Sequence, residues 1–414
     1  MKNYHAIRNL SENKTFGKGD VLVLFGELFQ KGYANGLVAE AERRGMKIIR
    51  TTVGRREKDG SLRALNQEEI ASIPHPFINI PLEAGFDLES AESEGPTVVD
   101  LLKDVKLTDW KTFKLDQKFI SQAKQNGRIR FQKYAELYMQ ELEQHIPQNA
   151  NVLFAHLMAG GVPRAKIVMP IMNRVSKGIG NRHVPSQEFW DSPIGQLCSI
   201  SFNEVTAETF NQLIIQSEKI RDRVQKNHKQ VSYLAYGYHG TEVMIDNQYT
   251  WQTYTPYVQG WAKMKLEEYS REWTKKGVTC CVYNCPEILT NSSNIFQGVE
   301  ISLYTLLNAL KKENPNSETT KKTFQSCQNQ LKTEVSLNQL LDTVDSYLQS
   351  DIIRKNCVYE KWPQHNSKEQ MEKMINTSNQ LYDMLQDSKN ELLPILSEVV
   401  FHTTGKIMLN DIAK

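Results

Sequence analysis

Short apolar runs recur along the N-terminal three quarters of the chain, and each has the length of a β-strand. They lie at Asp20–Phe25 (DVLVLF), Met46–Val53, Pro76–Leu82, Asn151–Gly161, Gln230–Gly240 and Gly277–Cys285. A continuous apolar run is typical of a strand that is covered on both faces, as in a parallel sheet. The pattern therefore predicts six strands of a buried sheet.

Helical periodicity fills several of the intervals between these runs. The helical segments lie at Leu37–Gly45, Gly127–Gln144, Ala207–Val224 and Tyr257–Lys276. Strands that alternate with helices favour a parallel sheet with helices on both faces. We therefore predict an α/β fold, a Rossmann-like doubly wound parallel sheet.

The chain changes character after residue 311. A polar segment, KKENPNSETTKK, is followed by helical patterns such as LNQLLDTVDSYLQ and SNQLYDMLQDSKNELLPILSEVV. These patterns predict two parts: a Rossmann-like dinucleotide-binding and catalytic domain over residues 1–311, and a helical C-terminal extension, 312–414, packed on it.

Composition and charge exclude several classes of protein. The 414 residues are 40% hydrophobic with a net charge of +2 at pH 7, which gives nucleic-acid binding no support. No run of 18 apolar residues and no apolar leader is present, so neither a transmembrane segment nor a signal peptide is expected. The six cysteines lack a CxxC spacing and have no nearby histidine. We predict a cytoplasmic protein with reduced thiols and no metal site.

A glycine-bearing turn, GELFQKGYANG, joins the first strand to the first helix. It holds Gly26, Gly32, Tyr33 and Gly36. A dinucleotide site uses glycines at this place, because the backbone must approach a pyrophosphate at the helix N-terminus. The spacing G-x5-G-x3-G matches neither usual fingerprint, and a plain turn would also use glycines. Its position after the first strand favours cofactor binding.

The end of the second strand normally contacts the cofactor ribose. Here Thr51 and Thr52 are followed by Arg55 and Arg56, with no acid before Glu57. Two arginines could hold a 2′-phosphate and favour NADPH, whereas the alternative is a solvated basic loop. The cofactor prediction is NADPH or NADH.

The segment Gln248–Lys265, QYTWQTYTPYVQGWAKMK, brings tyrosines and lysines together near the fifth predicted strand. Hydride transfer to a carbonyl or an enone places negative charge on an oxygen, which a tyrosine hydroxyl can stabilise. A nearby lysine ammonium lowers the pKa of that hydroxyl and can hold the nicotinamide ribose. The segment is therefore a candidate for a proton-transfer pair.

The residues around this segment resemble one family. AYGYHGTE (Ala235–Glu242) resembles the A-Y-S-Y-I-G-x-E motif of the trans-2-enoyl thioester reductases, the single-chain enoyl reductases of bacterial fatty-acid synthesis. Lys263-Met264-Lys265 is similar to the family's K-A-K, and Pro286–Lys312 is similar to its V-T-Q-A-S segment and following helix. The resemblance covers residues 20–312. The glycine loop is longer than the family's.

The resemblance implies NAD(P)H-dependent reduction of the 2,3 double bond of a trans-2-enoyl thioester, carried by acyl carrier protein or CoA. It places Tyr238 in the substrate pocket. The residues that it implies beside the cofactor are Asp87 at the adenine, Leu157, Met158 and Ala159 after the fourth strand, and Thr290 near the nicotinamide amide.

Two tyrosine–lysine pairs compete for the catalytic role. Tyr254 and Lys263 keep the family's eight intervening residues, whereas helical geometry favours Tyr257 and Lys265. Lys265 falls inside a predicted apolar stripe of the helix, and a lysine there needs a partner or a task. Lys263 falls on the predicted polar side. We interpret Tyr257 and Lys265 as the catalytic pair, assisted by Tyr238.

Two other functions stay open at this point. A divergent protein of this kind could bind a dinucleotide without enoyl reductase activity and act as a scaffold or regulator. A related carbonyl reductase is the second alternative. A monomer or a homodimer is expected.

Overall fold

The computed structural model describes residues 15–92, 95–238, 241–245, 248–252, 259–290, 297–355, 367–387 and 392–412. The strands in this part of the chain are β1 (Val21–Glu27), β2 (Lys47–Thr52), β3 (Arg55–Arg56), β4 (Leu62–Arg63), β5 (Phe77–Pro81), β6 (Val152–His156), β7 (Val231–Gly237), β8 (Thr241–Ile245), β9 (Gln248–Gln252) and β10 (Thr279–Asn284).

The helices in the same part of the chain surround and extend the sheet. They are α1 (Ala34–Arg43), α2 (Gln67–Ile70), α3 (Val98–Leu101), α4 (Gln117–His145), α5 (Val168–Lys177), α6 (Ser186–Asp191), α7 (Pro193–Phe202), α8 (Thr209–Gln216), α9 (Glu218–Lys226), α10 (Gly260–Lys275), α11 (Val299–Glu313), α12 (Glu318–Gln328), α13 (Leu337–Leu348), α14 (Asp351–Arg354), α15 (Lys368–Asp383) and α16 (Leu392–Asp411). A 3₁₀ turn lies at Gly180–Arg182 and a π-helical segment at Asn203–Glu208.

Six strands form one parallel sheet in the order β10-β7-β6-β1-β2-β5. β1 and β6 are buried along almost their whole length, because helices cover both faces of the sheet. The prediction of a Rossmann-like parallel sheet is confirmed: five of the six predicted apolar runs contain a strand of the sheet, and β1 extends two residues beyond its run, to Glu27. The antiparallel hairpin β8–β9 was not predicted as strands.

Two helical segments differ from the prediction for identifiable reasons. The predicted helix Ala207–Val224 is interrupted at Ser217, whose hydroxyl hydrogen-bonds the Leu213 carbonyl at 2.7 Å and the Tyr233 hydroxyl at 2.7 Å. A buried serine that bonds to the backbone in this way competes with the helical ladder. Helix α4 begins ten residues before its predicted start, because Asp116 caps the backbone N–H groups of Lys118 and Phe119.

The C-terminal helices share a hydrophobic core with α11 rather than beginning after a linker. The predicted boundary at residues 311 and 312 lies inside α11, and α11 and α13 pack with α15 and α16 around residues such as Tyr304, Leu340 and Leu396. The division into two domains at this boundary stays a prediction.

Helix α16 connects this C-terminal core to the sheet by crossing α1. Gly36 and Gly405 meet at the crossing, and Arg44 of α1 donates a hydrogen bond to the Asn410 side chain at 2.8 Å. α16 is the one described helix long and apolar enough to span a bilayer. It packs against α1 and α11, as a core helix does.

Candidate active site

A cleft lies at the carboxyl edge of the parallel sheet, where ligands bind in open α/β folds. The ends of β1, β6 and β7 form its floor. The start of α1, the first turn of α10 and the segment after β10 form its walls. Several residues predicted near the cofactor line this cleft: Gly32, Tyr33, Leu157, Ala159 and Thr290.

Gly26 allows two strand ends to approach closely beneath the cleft. Its φ is +118°, and a Cβ there would lie 3.0 Å from Cγ of Met158 and 3.2 Å from the Leu157 carbonyl carbon. Met158 is buried beside it and does not line the cleft. Only glycine adopts this conformation without strain, so the sharp turn out of β1 depends on Gly26.

The N-terminus of α1 opens into the cleft without a side-chain cap. Tyr33 precedes the helix, makes no capping hydrogen bond, and no acidic residue lies in the first turn. The helix dipole favours an anion at this place, although the Asn35 and Gly36 N–H groups already donate to the Gly32 and Tyr33 carbonyls. No atom lies within 4 Å of the position that a Cβ on Gly32 would take, so the loop leaves room for a diphosphate.

Gly36 serves a different purpose from the one predicted. A Cβ on Gly36 would lie 1.7 Å from the Phe401 carbonyl oxygen of α16, and Gly36 does not line the cleft. Its missing side chain lets two helix backbones touch. The prediction that Gly36 contacts the cofactor is therefore corrected to a packing role.

The end of β2 is organised by a carboxylate from the neighbouring strand β1. Glu27, at the end of β1, accepts hydrogen bonds from the Thr52 hydroxyl at 2.8 Å and the Arg55 guanidinium at 2.9 Å. Burial alone would raise the pKa of Glu27, but the bonds from Arg55 and Thr52 outweigh it and lower the pKa. Thr51 donates to the Ile78 carbonyl at 3.1 Å and stabilises the sheet.

Neither arginine at this edge is an unpaired cation. Arg55 pairs with Glu27, and Arg56 pairs with Glu83 at 2.7 Å and Glu89 at 3.2 Å. The prediction that these arginines form a 2′-phosphate site required unpaired guanidinium groups. That requirement is not met, because each guanidinium already contacts a carboxylate.

Asp87 is buried and both of its carboxylate oxygens are used by one residue. It accepts from the Arg164 backbone N–H at 2.7 Å and from the Arg164 guanidinium at 3.2 Å. Asp87 does not line the cleft. In this structure Asp87 anchors the loop that follows β6, and its contact with the adenine stays a prediction.

The two candidate lysines have exchanged the positions that the helical pattern predicted. Lys263 is 5% exposed, lines the cleft, and donates to the Tyr236 carbonyl at 2.5 Å. Burial lowers the pKa of Lys263 to about 8, and the nearby Cys285 thiol offsets this only partly. Lys265 is half-exposed and forms an ion pair with Glu268 at 2.8 Å. The prediction that Lys265 faces the interior is wrong.

The error arose from the aromatic residues of α10. Tyr269 and Trp273 are only partly buried: the Tyr269 hydroxyl donates to Glu208 at 2.8 Å, and the Trp273 indole donates to Asn211 at 2.9 Å. Leu266 packs in the core against the sheet, and the small residue Ala262 is buried beside it. Aromatic side chains with a polar tip are typical of the edge of a core, so they misplaced the centre of the buried face by about one residue.

Tyr238 and Glu287 complete the polar part of the cleft. Tyr238 is buried directly after β7, and Glu287 lines the same cleft. Burial raises the pKa of Glu287 to about 8, and the nearby Tyr238 offsets this only partly. Tyr254 and Tyr257, the predicted partners of the lysines, lie outside the described residues.

Glu27 and Glu287 were both missed from the sequence. Each is a single acidic residue at the carboxyl end of an apolar strand, in VLVLFGE and in TCCVYNCPE. The signal that could have found them is this position, because the ends of parallel strands converge on one edge.

Comparison with known proteins gives one consistent result. Residues 3–414 match the family described as "Enoyl-acyl carrier protein reductase FabMG". A structure described as "Apo structure of FabMG, novel types of Enoyl-acyl carrier protein reductase" is 44% identical, with a TM-score of 0.94 over 100% of this chain and 93% of that chain. A second, described as "NADH bound structure of FabMG", is 38% identical, with a TM-score of 0.78 over 100% and 94%. None of the curated proteins matches the sequence.

Proposed function

Because the chain belongs to the FabMG family of enoyl-acyl carrier protein reductases, we propose that Lys263 and Tyr238 perform the polar part of its reaction in this cleft. The protein is an NAD(P)H-dependent oxidoreductase that reduces the 2,3 double bond of an enoyl thioester of acyl carrier protein. The observation that carries the assignment of residues is the burial of a lysine ammonium beside the end of β7.

The residues present fit a dinucleotide. The uncapped N-terminus of α1 would hold the diphosphate, and Lys263 would hold the nicotinamide ribose. When bound, the cofactor supplies the hydride for the β-carbon of the substrate. Tyr238 would donate a proton or a hydrogen bond to the thioester oxygen as negative charge develops there.

A second tyrosine is expected beside Lys263. With Lys263 as the active lysine, the spacing of eight intervening residues in the resembling enoyl thioester reductases selects Tyr254 over Tyr257. The earlier preference for Tyr257 rested on its match with Lys265, which the orientation of α10 removes. We propose Tyr254 as the partner and keep Tyr257 as its alternative.

We also propose that NADH is the preferred cofactor. The Glu27 carboxylate lines the cleft at the β2 edge and would repel a 2′-phosphate, while Arg55 is occupied by Glu27. A relative 38% identical to this chain is described as NADH bound, which supports the same choice.

We expect NADH to give a kcat/KM about tenfold above that of NADPH, a difference of about 1.4 kcal/mol. Glu27→Gln should reduce this ratio, because it removes the repulsive charge but keeps the side-chain shape. Steady-state rates with each cofactor measure the ratio. Glu57→Gln is the control, since Glu57 is an exposed residue that pairs with Arg63. A higher rate with NADPH in the wild type would contradict the proposal.

The reaction itself is tested by mixing the protein with NADH and crotonyl thioesters while following NADH absorbance. We expect oxidation with the thioester of acyl carrier protein and slower oxidation with the CoA thioester, which lacks the protein surface of the carrier. No oxidation with any chain length, together with no thermal shift on adding NADH or NADPH, would contradict enzymatic function.

For location and assembly we propose a cytoplasmic monomer or homodimer. The cysteines in the described ranges are Cys198, Cys280, Cys281, Cys285 and Cys327, and each is a free thiol. Unpaired thiols are typical of proteins in a reducing compartment. Sedimentation velocity would distinguish the two assemblies.

A further inference from the structure

A surface pocket lies at the C-terminal end of α5, outside the cleft in which the reaction is proposed. It has a volume of about 300 Å³, and Arg174, Lys177, Ile179 and Arg182 line it; these four residues define the basic pocket. No carboxylate of the described residues lines it. Although the net charge of the whole chain is only +2, the cations in this pocket give it a positive local potential.

The backbone brings the cations of the basic pocket together at Gly178. A Cβ on Gly178 would lie 2.2 Å from the Arg174 carbonyl oxygen and 2.7 Å from the Arg182 carbonyl oxygen. Glycine is needed for so close an approach, and it lets the 3₁₀ turn Gly180–Arg182 return against the last turn of α5. The Val184 N–H also donates to the Arg174 carbonyl at 3.2 Å. The two arginines are therefore held at one pocket by the backbone.

These two arginines differ from most others in the described part of the chain. Arg56 and Arg130, for example, both pair with Glu83. Neither Arg174 nor Arg182 forms a salt bridge with another described residue. The helix dipole favours a cation in the last turn of α5, which accounts for Arg174 but not for Arg182. Guanidinium groups that share a pocket without a carboxylate favour a ligand that supplies one.

An apolar side chain lies among these charges. Ile179 is 48% exposed and lines the basic pocket beside its cations. Protein interfaces combine apolar contacts with a charged rim, whereas a small inorganic anion would gain nothing from an isoleucine. The combination therefore fits the surface of an acidic protein better than a free anion.

Helix α5 connects the basic pocket to the wall of the cleft. Met172 of α5 belongs to the same hydrophobic cluster as Ala262 of α10. Ala262 lies next to Lys263, which lines the cleft in the first turn of α10. The basic pocket therefore lies on the side of the molecule where α10 bounds the cleft.

Helix α15 makes a second connection between the basic pocket and the cleft. The Gly180 N–H donates to the Glu372 carboxylate of α15 at 3.2 Å. Two positions further along α15, Met374 belongs to the same hydrophobic cluster as Ile288, and Ile288 lines the cleft. A protein seated on the basic pocket would thus be near enough to extend a flexible acyl arm into the cleft.

We propose that the basic pocket docks an acidic face of the acyl carrier protein that delivers the enoyl thioester. This inference rests on the proposed function of the cleft. Arg174, Lys177 and Arg182 would pair with carboxylates of the carrier protein, and Ile179 would contact an apolar side chain between them. Docking outside the cleft leaves the cleft free for the acyl chain and the cofactor. Complementary charges speed association, and salt screens them.

A second groove with lysines supplies the matched control. Lys311 of α11 and Lys321 of α12 line this groove. Helix α11 begins at Val299, so a rise of about 1.5 Å per residue places Lys311 roughly 18 Å along the helix from that end. Replacing both lysines by glutamate changes the net charge of the protein by the same amount as replacing two arginines of the basic pocket.

The test is the double variant Arg174→Glu/Arg182→Glu, assayed with NADH and two crotonyl thioesters. We expect the KM for crotonyl-acyl carrier protein to rise at least about tenfold at low salt and kcat to change less than about twofold, because charges at an interface act mainly on association. The N-acetylcysteamine thioester has neither a carrier protein nor a charge and should react at the wild-type rate. Added salt should lower kcat/KM with the carrier thioester for the wild type but hardly for the variant.

Two further variants complete the test. Lys311→Glu/Lys321→Glu should keep the wild-type KM for the carrier thioester. Arg174→Gln/Arg182→Gln should give a smaller rise in KM, and it replaces the glutamate variant if charge reversal lowers the Tm.

An unchanged KM for the carrier thioester in both arginine variants would overturn the proposal. An equal loss of rate with the N-acetylcysteamine thioester, or a larger rise in KM in the lysine variant, would overturn it as well. If the wild type oxidised NADH with neither thioester, the proposed function would be wrong, and this inference with it.

Discussion

Replacing Lys263 by methionine should lower kcat with enoyl thioester by about 100-fold or more, which is the usual loss when a preorganised electrostatic group is removed. The ammonium is buried against the Tyr236 carbonyl, at the edge of the cleft that Tyr238 also lines. Methionine has no positive charge, so it can neither hold the nicotinamide ribose nor lower the pKa of a neighbouring tyrosine hydroxyl.

The same substitution should leave the free energy of unfolding unchanged or raise it. Burial holds the pKa of Lys263 at about 8 in the folded chain against 10.5 when exposed, a penalty of about 3 kcal/mol on the folded state at pH 7. Between these two values the unfolded chain binds more protons, so the wild type should gain stability as pH rises from 8 to 10.5. The variant should lack that gain.

Lys265→Met is the matched control, because Lys265 lies two positions away on the exposed side of the same helix. It should retain its rate and stability. Enzyme assays with parallel thermal scans check both predictions. A fully active Lys263→Met, or an inactive Lys265→Met, would contradict this assignment and support Lys265 as the active lysine, as the helical pattern of the sequence predicted.

Replacing Gly36 by alanine should produce the largest loss of stability among the substitutions considered. The new methyl group would overlap the Phe401 carbonyl oxygen, and a helix backbone cannot move aside as a flexible side chain can. Overpacking of this kind costs about 1–3 kcal/mol and sometimes more. We expect a lower Tm and weaker NADH binding, since α1 carries the N-terminus that faces the cleft.

Gly17→Ala is the control for this substitution, because nothing lies within 4 Å of the position its Cβ would take. Its unfolding curve should match the wild type. Gly405→Ala, on the opposite helix, would meet the Gly36 backbone and should reproduce the loss of stability. An unchanged Tm in both crossing variants would show that α1 and α16 do not touch in solution.

The sheet could be predicted because each of its strands is a local pattern. Strands such as DVLVLF are buried on both faces, so nearly all their residues are apolar and the strand can be recognised from the sequence alone. The order of the strands and the interruption at Ser217 depend on contacts between distant residues, which periodicity does not contain.

The site was predicted in part. The errors concern side chains whose surroundings are set by contacts between distant parts of the chain. The glycine loop was found from its place after a strand, and Tyr238 from the resemblance to the enoyl thioester reductases. Lys263 and Lys265 differ by only two positions, so the direction of each depends on how α10 rotates about its axis against the sheet. Glu27 pairs with residues of other strands, and Glu287 shares its cleft with the ends of other strands, so the residues around both are adjacent only after folding.

The crossing of α1 and α16 also constrains how the protein is made. Arg44 and its partner Asn410 are 366 positions apart, so α1 leaves the ribosome long before its partner helix exists. At 5–20 residues per second the delay is roughly 20–70 s. During translation the face of α1 that carries Gly36 is therefore uncovered. We expect nascent chains of this protein to need protection from aggregation until α16 docks.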